Sequence, residues 1–161
     1  MILLSDANIL IDLGYVDGLE ILTKIAPTEV LDIVLQECED DRQPGLTAAI
    51  IAAGIQVIET EASWLPEAAQ YRSAELSLQD QLNIHYAKSM KRVLLATDKP
   101  LRARCKQENV EVHGSLWLVQ EASRLSLLPA ADLCQWLAIW PTVGSRLPEA
   151  ELRQLRKDLG C

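Results

Sequence analysis

Residues 2–13 read ILLSDANILIDL. Ile2, Leu3 and Leu4 make a short apolar run of the strand type, which ends at Ser5. Apolar residues resume at once with Ile9, Leu10 and Ile11, and Asp6-Ala7-Asn8 stands between the two runs. A carboxylate set between two buried stretches is costly unless something offsets its charge. A strand that delivers Asp6 to the working edge of a sheet would give that charge a purpose, and the rest of the chain is consistent with such a sheet.

Outward from residues 2–5, read as a buried strand, the pattern alternates. A helical signal covers Asp17 to Ile25, and TEVLDIV (28–34) is the second strand candidate. PGLTAAIIAAG (44–54) suggests a helix opened by Pro and closed by Gly. IQVIET (55–60) is a third strand, and SLQDQLNIHYAKSM (77–90) is helical. VLLAT (93–97) is a fourth strand, KPLRARCKQEN (99–109) a helix, VEVHG (110–114) a short fifth strand and SLWLVQEASRL (115–125) another helix. Strands alternating with helices predict parallel β-α-β units and a doubly wound α/β sheet. Two further helices, Pro129 to Trp140 and Pro148 to Leu159, follow as an extension. A single domain over 1–161 is expected, with a core of about 1–126 and a helical extension of about 127–161.

Composition narrows the function classes. The chain has 161 residues, 49% of them hydrophobic, and a net charge of −8, which argues against an indiscriminate nucleic-acid binder. Residues 1–87 carry fifteen acids against three basic side chains, whereas 88–106 carry seven basic side chains and one acid, Asp98. A local basic patch beside an acidic site suits a phosphate backbone; a solvated helix face is the plainer explanation. No apolar run reaches the roughly 18 residues of a membrane span. MILLSDAN has neither a basic n-region nor a small-residue cleavage site, so no signal peptide is expected. Cys38, Cys105, Cys134 and Cys161 share no C-x-x-C spacing. They read as buried or free thiols of a cytoplasmic protein, and zinc is not expected.

In open parallel sheets the working crevice lies outside the carboxyl ends of the strands. Asp6 ends strand one and Asp98 ends strand four. Glu37, in VLQECED, follows strand two, and Asp80 opens the helix leading to strand four. Each has a structural explanation of its own. Asp6 and Asp98 suit helix N-caps, Ser77-x-x-Asp80 suits a capping box, and Glu37 has Glu39, Asp40 and Asp41 beside it. Together, four carboxylates on one edge would repel one another unless a cation joined them. An oxygen-only set without His or Cys favours Mg²⁺ or Mn²⁺.

Asp6-Ala7-Asn8, Val34-Leu35-Gln36-Glu37, Asp80-Gln81-Leu82 and Thr97-Asp98, in that order, resemble the PIN-domain nucleases. RVLLATDKPLRARCKQENVEVHGSLWLVQEA looks like the family's strand-helix-strand ending, and GSRLPEAELRQLRKDLG is similar to the tail of a bacterial and archaeal PIN subfamily related to the VapC toxins. The resemblance implies a three-layer α/β/α sandwich with a five-stranded parallel sheet ordered 3-2-1-4-5. It implies metal-dependent cleavage of RNA, and in VapC-like members a toxin restrained by an antitoxin. Carried over, Asp6, Asp80 and Asp98 would hold Mg²⁺ or Mn²⁺, and Glu37 would act on the attacking water. Glu39 competes for that role, and the V-x-x-E spacing favours Glu37. Asn8 and Thr97 would orient the ligands, while Lys99, Arg102 and Arg104 would grip RNA.

Trp136 and Trp140, four apart, share a helix face and suit either core packing or a contact with an antitoxin or a second copy in a homodimer. Arg153, Arg156 and Lys157 suit a solvated face or a wider RNA footprint, His85 and His113 structural roles, and Cys161 an exposed thiol. Two rivals to a nuclease stand. One is a catalytically silent PIN module that binds RNA or a protein. The other is a phosphoacceptor receiver domain, which wants paired acids after strand one and a lysine after strand five. Here Asp6 has no acid beside it, and strand five ends in His113-Gly114.

Overall fold

A computed structural model describes residues 1–161. The chain runs β1 (Leu3–Ser5), α1 (Ala7–Tyr15), α2 (Glu20–Ile25), β2 (Thr28–Leu31), α3 (Asp32–Gln36), α4 (Leu46–Ala52), β3 (Gln56–Ile58), α5 (Leu65–Ala68), α6 (Leu78–Met90), β4 (Val93–Leu95), α7 (Lys99–Gln107), β5 (Val112–His113), α8 (Ser115–Arg124), α9 (Ala130–Ile139) and α10 (Glu149–Leu159). The five strands form one parallel sheet in the order 3-2-1-4-5. β1 and β2 are buried along their whole length, as strands covered by helices on both faces must be. β3, at one edge, leaves Gln56 and Val57 exposed.

That order sets β1 beside β4, with Leu3, Leu4 and Ser5 opposite Val93, Leu94 and Leu95. The first residue beyond β1 is therefore pinned to the end of β4: the Asp6 N–H donates to the Leu95 carbonyl at 3.0 Å. The aspartates that close the two strands consequently leave the sheet at the same edge.

Four stretches differ from the sequence expectations. The helical signal starts earlier than Asp17, because Ile9, Leu10 and Leu13 are fully buried on one face of α1 and Asp6 caps it. Asp17 lies between two helices, in the left-handed region at φ 51°. The second strand stops at Leu31 instead of Val34. Asp32 Oδ1 accepts the N–H groups of Ile33 and Thr60 and the Thr60 hydroxyl, and this turns the chain into α3. Residues 62–71, for which the sequence suggested no element, form 3-10 turns around α5. Finally, Cys134 and Cys161 are not free thiols but a disulfide, with Cα atoms 5.7 Å apart. Their separation of 27 residues hid the pairing, which arises because α10 returns alongside α9 and Gly160, at φ 77°, turns the last residue inward. Cys38 and Cys105 are free and buried. The bridge removes the free-thiol argument for a cytoplasmic setting. No helix is long and apolar enough to cross a membrane.

The extension is built into the core. Leu133, Trp136, Leu137, Trp140 and Leu155 belong to the same buried cluster as β1 and α1. Trp136 and Trp140 meet with ring centroids 5.9 Å apart, and both are buried, so they pack the core and offer no dimer or antitoxin surface. The Trp140 indole N–H donates to the Asp12 carbonyl at 2.8 Å.

Candidate functional site

The acids at the carboxyl edge are mounted on helix starts. Asp6 caps α1: Oδ1 accepts the Ile9 N–H at 2.9 Å. Asp98 caps α7: Oδ2 accepts the Leu101 N–H at 3.1 Å, and Pro100 supplies a preset first turn. Asp80 completes a capping box on α6, its Oδ2 accepting the Ser77 N–H at 3.0 Å while Ser77 Oγ accepts the Asp80 N–H at 3.1 Å. Glu37 ends α3. The capping roles read from the sequence are thus real. They fix one carboxylate oxygen of each aspartate and leave the second oxygen of Asp80 and Asp98 without a protein donor.

Electrostatics tie these mounts together. Asp6 is 6% exposed. Burial, reinforced by the charges of Asp80 and Asp12, pushes its carboxyl from 3.8 up to about 7, against the lowering effect of the Ile9 and Thr97 backbone N–H groups. Asp80 is raised by burial and then by Asp98. Glu37 is raised by burial and then by Asp80. Asp6, Glu37, Asp80 and Asp98 therefore form a connected set of mutually repelling groups around Asp80. Glu39 is not among the charges that act on Asp80 or Asp6; it acts instead on the buried Cys38 thiol, which burial pushes up to about 12. Burial, with Asp80 and Asp6, likewise pushes Cys105 up to about 12, so two protonated thiols back the acids.

No three histidine, cysteine, aspartate or glutamate side chains stand close enough to share an ion in this arrangement. The donor chemistry still fits a hard divalent cation. The groups are carboxylates, two of them have an unused oxygen, and neither histidine is among the groups acting on them.

The other expected site residues separate into two groups. Thr97 reaches Asp6 through its backbone N–H, whereas Asn8 is exposed on the first turn of α1. Arg104 is engaged within the chain: it donates to the Gln70 carbonyl at 3.3 Å, lies 3.5 Å from Glu108 and sits over the Tyr71 ring. Lys88 pairs with Glu108, and Arg92 pairs with Glu29. Much of the basic cluster is thus neutralised internally. Lys99 is exposed and Arg102 half-buried, and neither is in an ion pair.

Sequence reasoning missed Asp12. It is buried, accepts the hydroxyls of Ser115 (3.2 Å) and Ser145, and is raised by burial. Its charge adds to that on Asp6. The signal was in the opening stretch, where a second carboxylate follows the first by six residues inside an apolar run.

A model of the family described as DUF3368, a PIN domain, matches residues 2–160. The fold is also similar to that of a PilT N-terminus domain protein, SSO1118, from the hyperthermophilic archaeon Sulfolobus solfataricus P2. The TM-score is 0.52 at 12% identity, covering 73% of this chain and 90% of that one. No curated protein matches the chain.

Proposed function

The chain belongs to the PIN-domain family, and from that premise we propose that it is a Mg²⁺- or Mn²⁺-dependent ribonuclease acting on phosphodiester bonds. The observation that carries this reading is the buried Asp6, held at about 7 by burial and by the neighbouring charges of Asp80 and Asp12 at the carboxyl edge of β1. Such a group costs stability whenever it is ionised, and that cost is what marks it out for a functional role beyond the helix cap.

Asp6, Asp80 and Asp98 would hold the cation. When bound, it would offset phosphate charge and make water more acidic. Glu37, raised by burial and Asp80, is a stronger base than an ordinary glutamate and would position or deprotonate the attacking water. The Ile9 and Leu101 N–H groups keep Asp6 and Asp98 oriented toward the edge. Lys99 and Arg102, outside the internal ion pairs, would meet the RNA backbone. A toxin role with an antitoxin, and a homodimer, extend this reading on the VapC likeness alone.

The test is cleavage of end-labelled RNA with Mn²⁺ or Mg²⁺ by the wild type, Asp6→Asn and Asp98→Asn. Both variants should lose at least about 100-fold in rate, the order expected when an electrostatic or acid–base contributor is removed. Unchanged cleavage in both would exclude the assignment. A second reading, a PIN domain that binds RNA or a protein without cutting, draws support from Asp6, Asp80 and Asp98 each serving as a helix-cap acceptor. RNA binding by the wild type with no metal-dependent cleavage would favour it.

A further inference from the structure

Next to the acids, at the carboxyl end of β5, the His113 ring stacks on the Trp117 indole with centroids 4.3 Å apart and planes 7° from parallel. Neither ring is enclosed: the His113 side chain is 29% exposed, and Trp117 is half-buried. His113 lies opposite Leu95, three residues before Asp98. Arg102 follows on the first turn of α7, its N–H donating to the Asp98 carbonyl at 3.0 Å. Its guanidinium reaches across to the start of α8, where a Cβ on Gly114 would stand 2.9 Å from Arg102 Nη1. The missing side chain at position 114 is what leaves room for it. A half-buried guanidinium without a carboxylate partner suits a bound anion, and a planar aromatic pair beside it suits a base.

We propose that the His113–Trp117 stack and the Arg102 guanidinium form a nucleotide subsite for single-stranded RNA, with an unpaired base on the aromatic pair and its phosphate at Arg102. This rests on the ribonuclease reading and adds the side chains that would hold one nucleotide beside the acids. A base within a duplex cannot reach a side-chain platform of this kind, whereas a splayed base in a single strand can. Glu111, 3.3 Å from His113 Nε2, keeps the imidazole oriented and discourages a phosphate at that end. The phosphate is therefore directed toward Arg102.

The experiment measures binding of a fluorescein-labelled mixed-sequence 12-nucleotide single-stranded RNA and of the matching duplex. EDTA is present, so no turnover intervenes. Trp117→Ala and His113→Ala should weaken single-strand binding at least about fivefold, the lower end for a lost base stack, and leave duplex binding unchanged. Trp117→Phe should retain most of the affinity. Arg102→Ala should lower the salt slope by about one, with Arg102→Lys restoring it. Should Trp117→Ala fail to fold, His113→Ala carries the same expectation at an exposed ring. Single-strand binding that is unaffected by His113→Ala and Trp117→Ala, with an unchanged salt slope in Arg102→Ala, overturns the subsite alone. Absence of any RNA binding by the wild type in EDTA also overturns the subsite, while the ribonuclease reading is judged separately by Mn²⁺-dependent cleavage.

Discussion

Asp6 is at once a helix cap and an unfavourably buried charge, and the two roles can be separated by substitution. Asparagine caps a helix as well as aspartate does, so Asp6→Asn keeps the Ile9 bond and removes the charge. Raising a carboxyl from 3.8 to about 7 corresponds to roughly 4 kcal/mol between its protonation states, a ceiling that relaxation reduces. The folded chain holds this proton more tightly than the unfolded one. Its stabilising contribution is therefore complete below pH 3.8 and is lost as pH rises through about 7. Metal-free Asp6→Asn should thus melt above the wild type at pH 8, by about 1–3 kcal/mol, and the gap should narrow at pH 5. Calorimetry at both values checks this; a gap that does not depend on pH would contradict it. Added Mn²⁺ should raise the melting temperature of the wild type and leave that of Asp6→Asn almost unmoved, and EDTA should reverse the rise.

At the scale of elements, α6 links sequence most directly to site. Ser77-x-x-Asp80 was legible as a capping box, and the box is formed, with Asp80 directed at once to the backbone and to the acids. Ser77→Ala should cost about 1 kcal/mol of stability. Because the backbone N–H at position 77 still holds Asp80 Oδ2, Mn²⁺ affinity measured by titration calorimetry should be almost unaltered, and a marked weakening would show that the hydroxyl also orients the carboxylate. Most strands and helices were legible for the same reason: hydrophobic periodicity, Pro at starts and Gly at ends are local signals, whereas the strand order, a non-local property, came from the resemblance to the PIN-domain family. α1 was not read as a helix beginning at Ala7, since Ile9, Leu10 and Ile11 resemble a strand until burial on one face is known. Asp12 escaped because its partners Ser115 and Ser145 are more than a hundred residues away. Among the basic residues, charge alone could not tell Arg104, taken up by Glu108 and Gln70, from Arg102, which is not paired.

Across the whole molecule, the C-terminal hairpin is held by two kinds of joint, one to the layer that carries Asp6 and one within the hairpin itself. One is polar: Trp140 and Ser145 both bond to Asp12 on α1, the helix that Asp6 caps. The other is covalent, the Cys134–Cys161 bridge. Only Leu155 of α10 is fully buried, so this last helix depends on the bridge more than α9 does, which contributes Leu133, Trp136 and Leu137 to the core. A closure of 27 residues stabilises by about 3.5 kcal/mol on the chain-entropy account, equivalent to roughly 7–14 °C in a chain of this size. Cys161→Ser should lower the melting temperature by that amount. A dithiol reductant should do the same to the wild type while leaving Cys161→Ser unaffected. Hydrogen exchange should then speed up across 149–159 and not across 7–15, because the Asp12 bonds to Trp140 and Ser145 lie upstream of α10 and survive its release. Faster exchange in both segments would mean that the bridge also holds α1, and with it the orientation of Asp6.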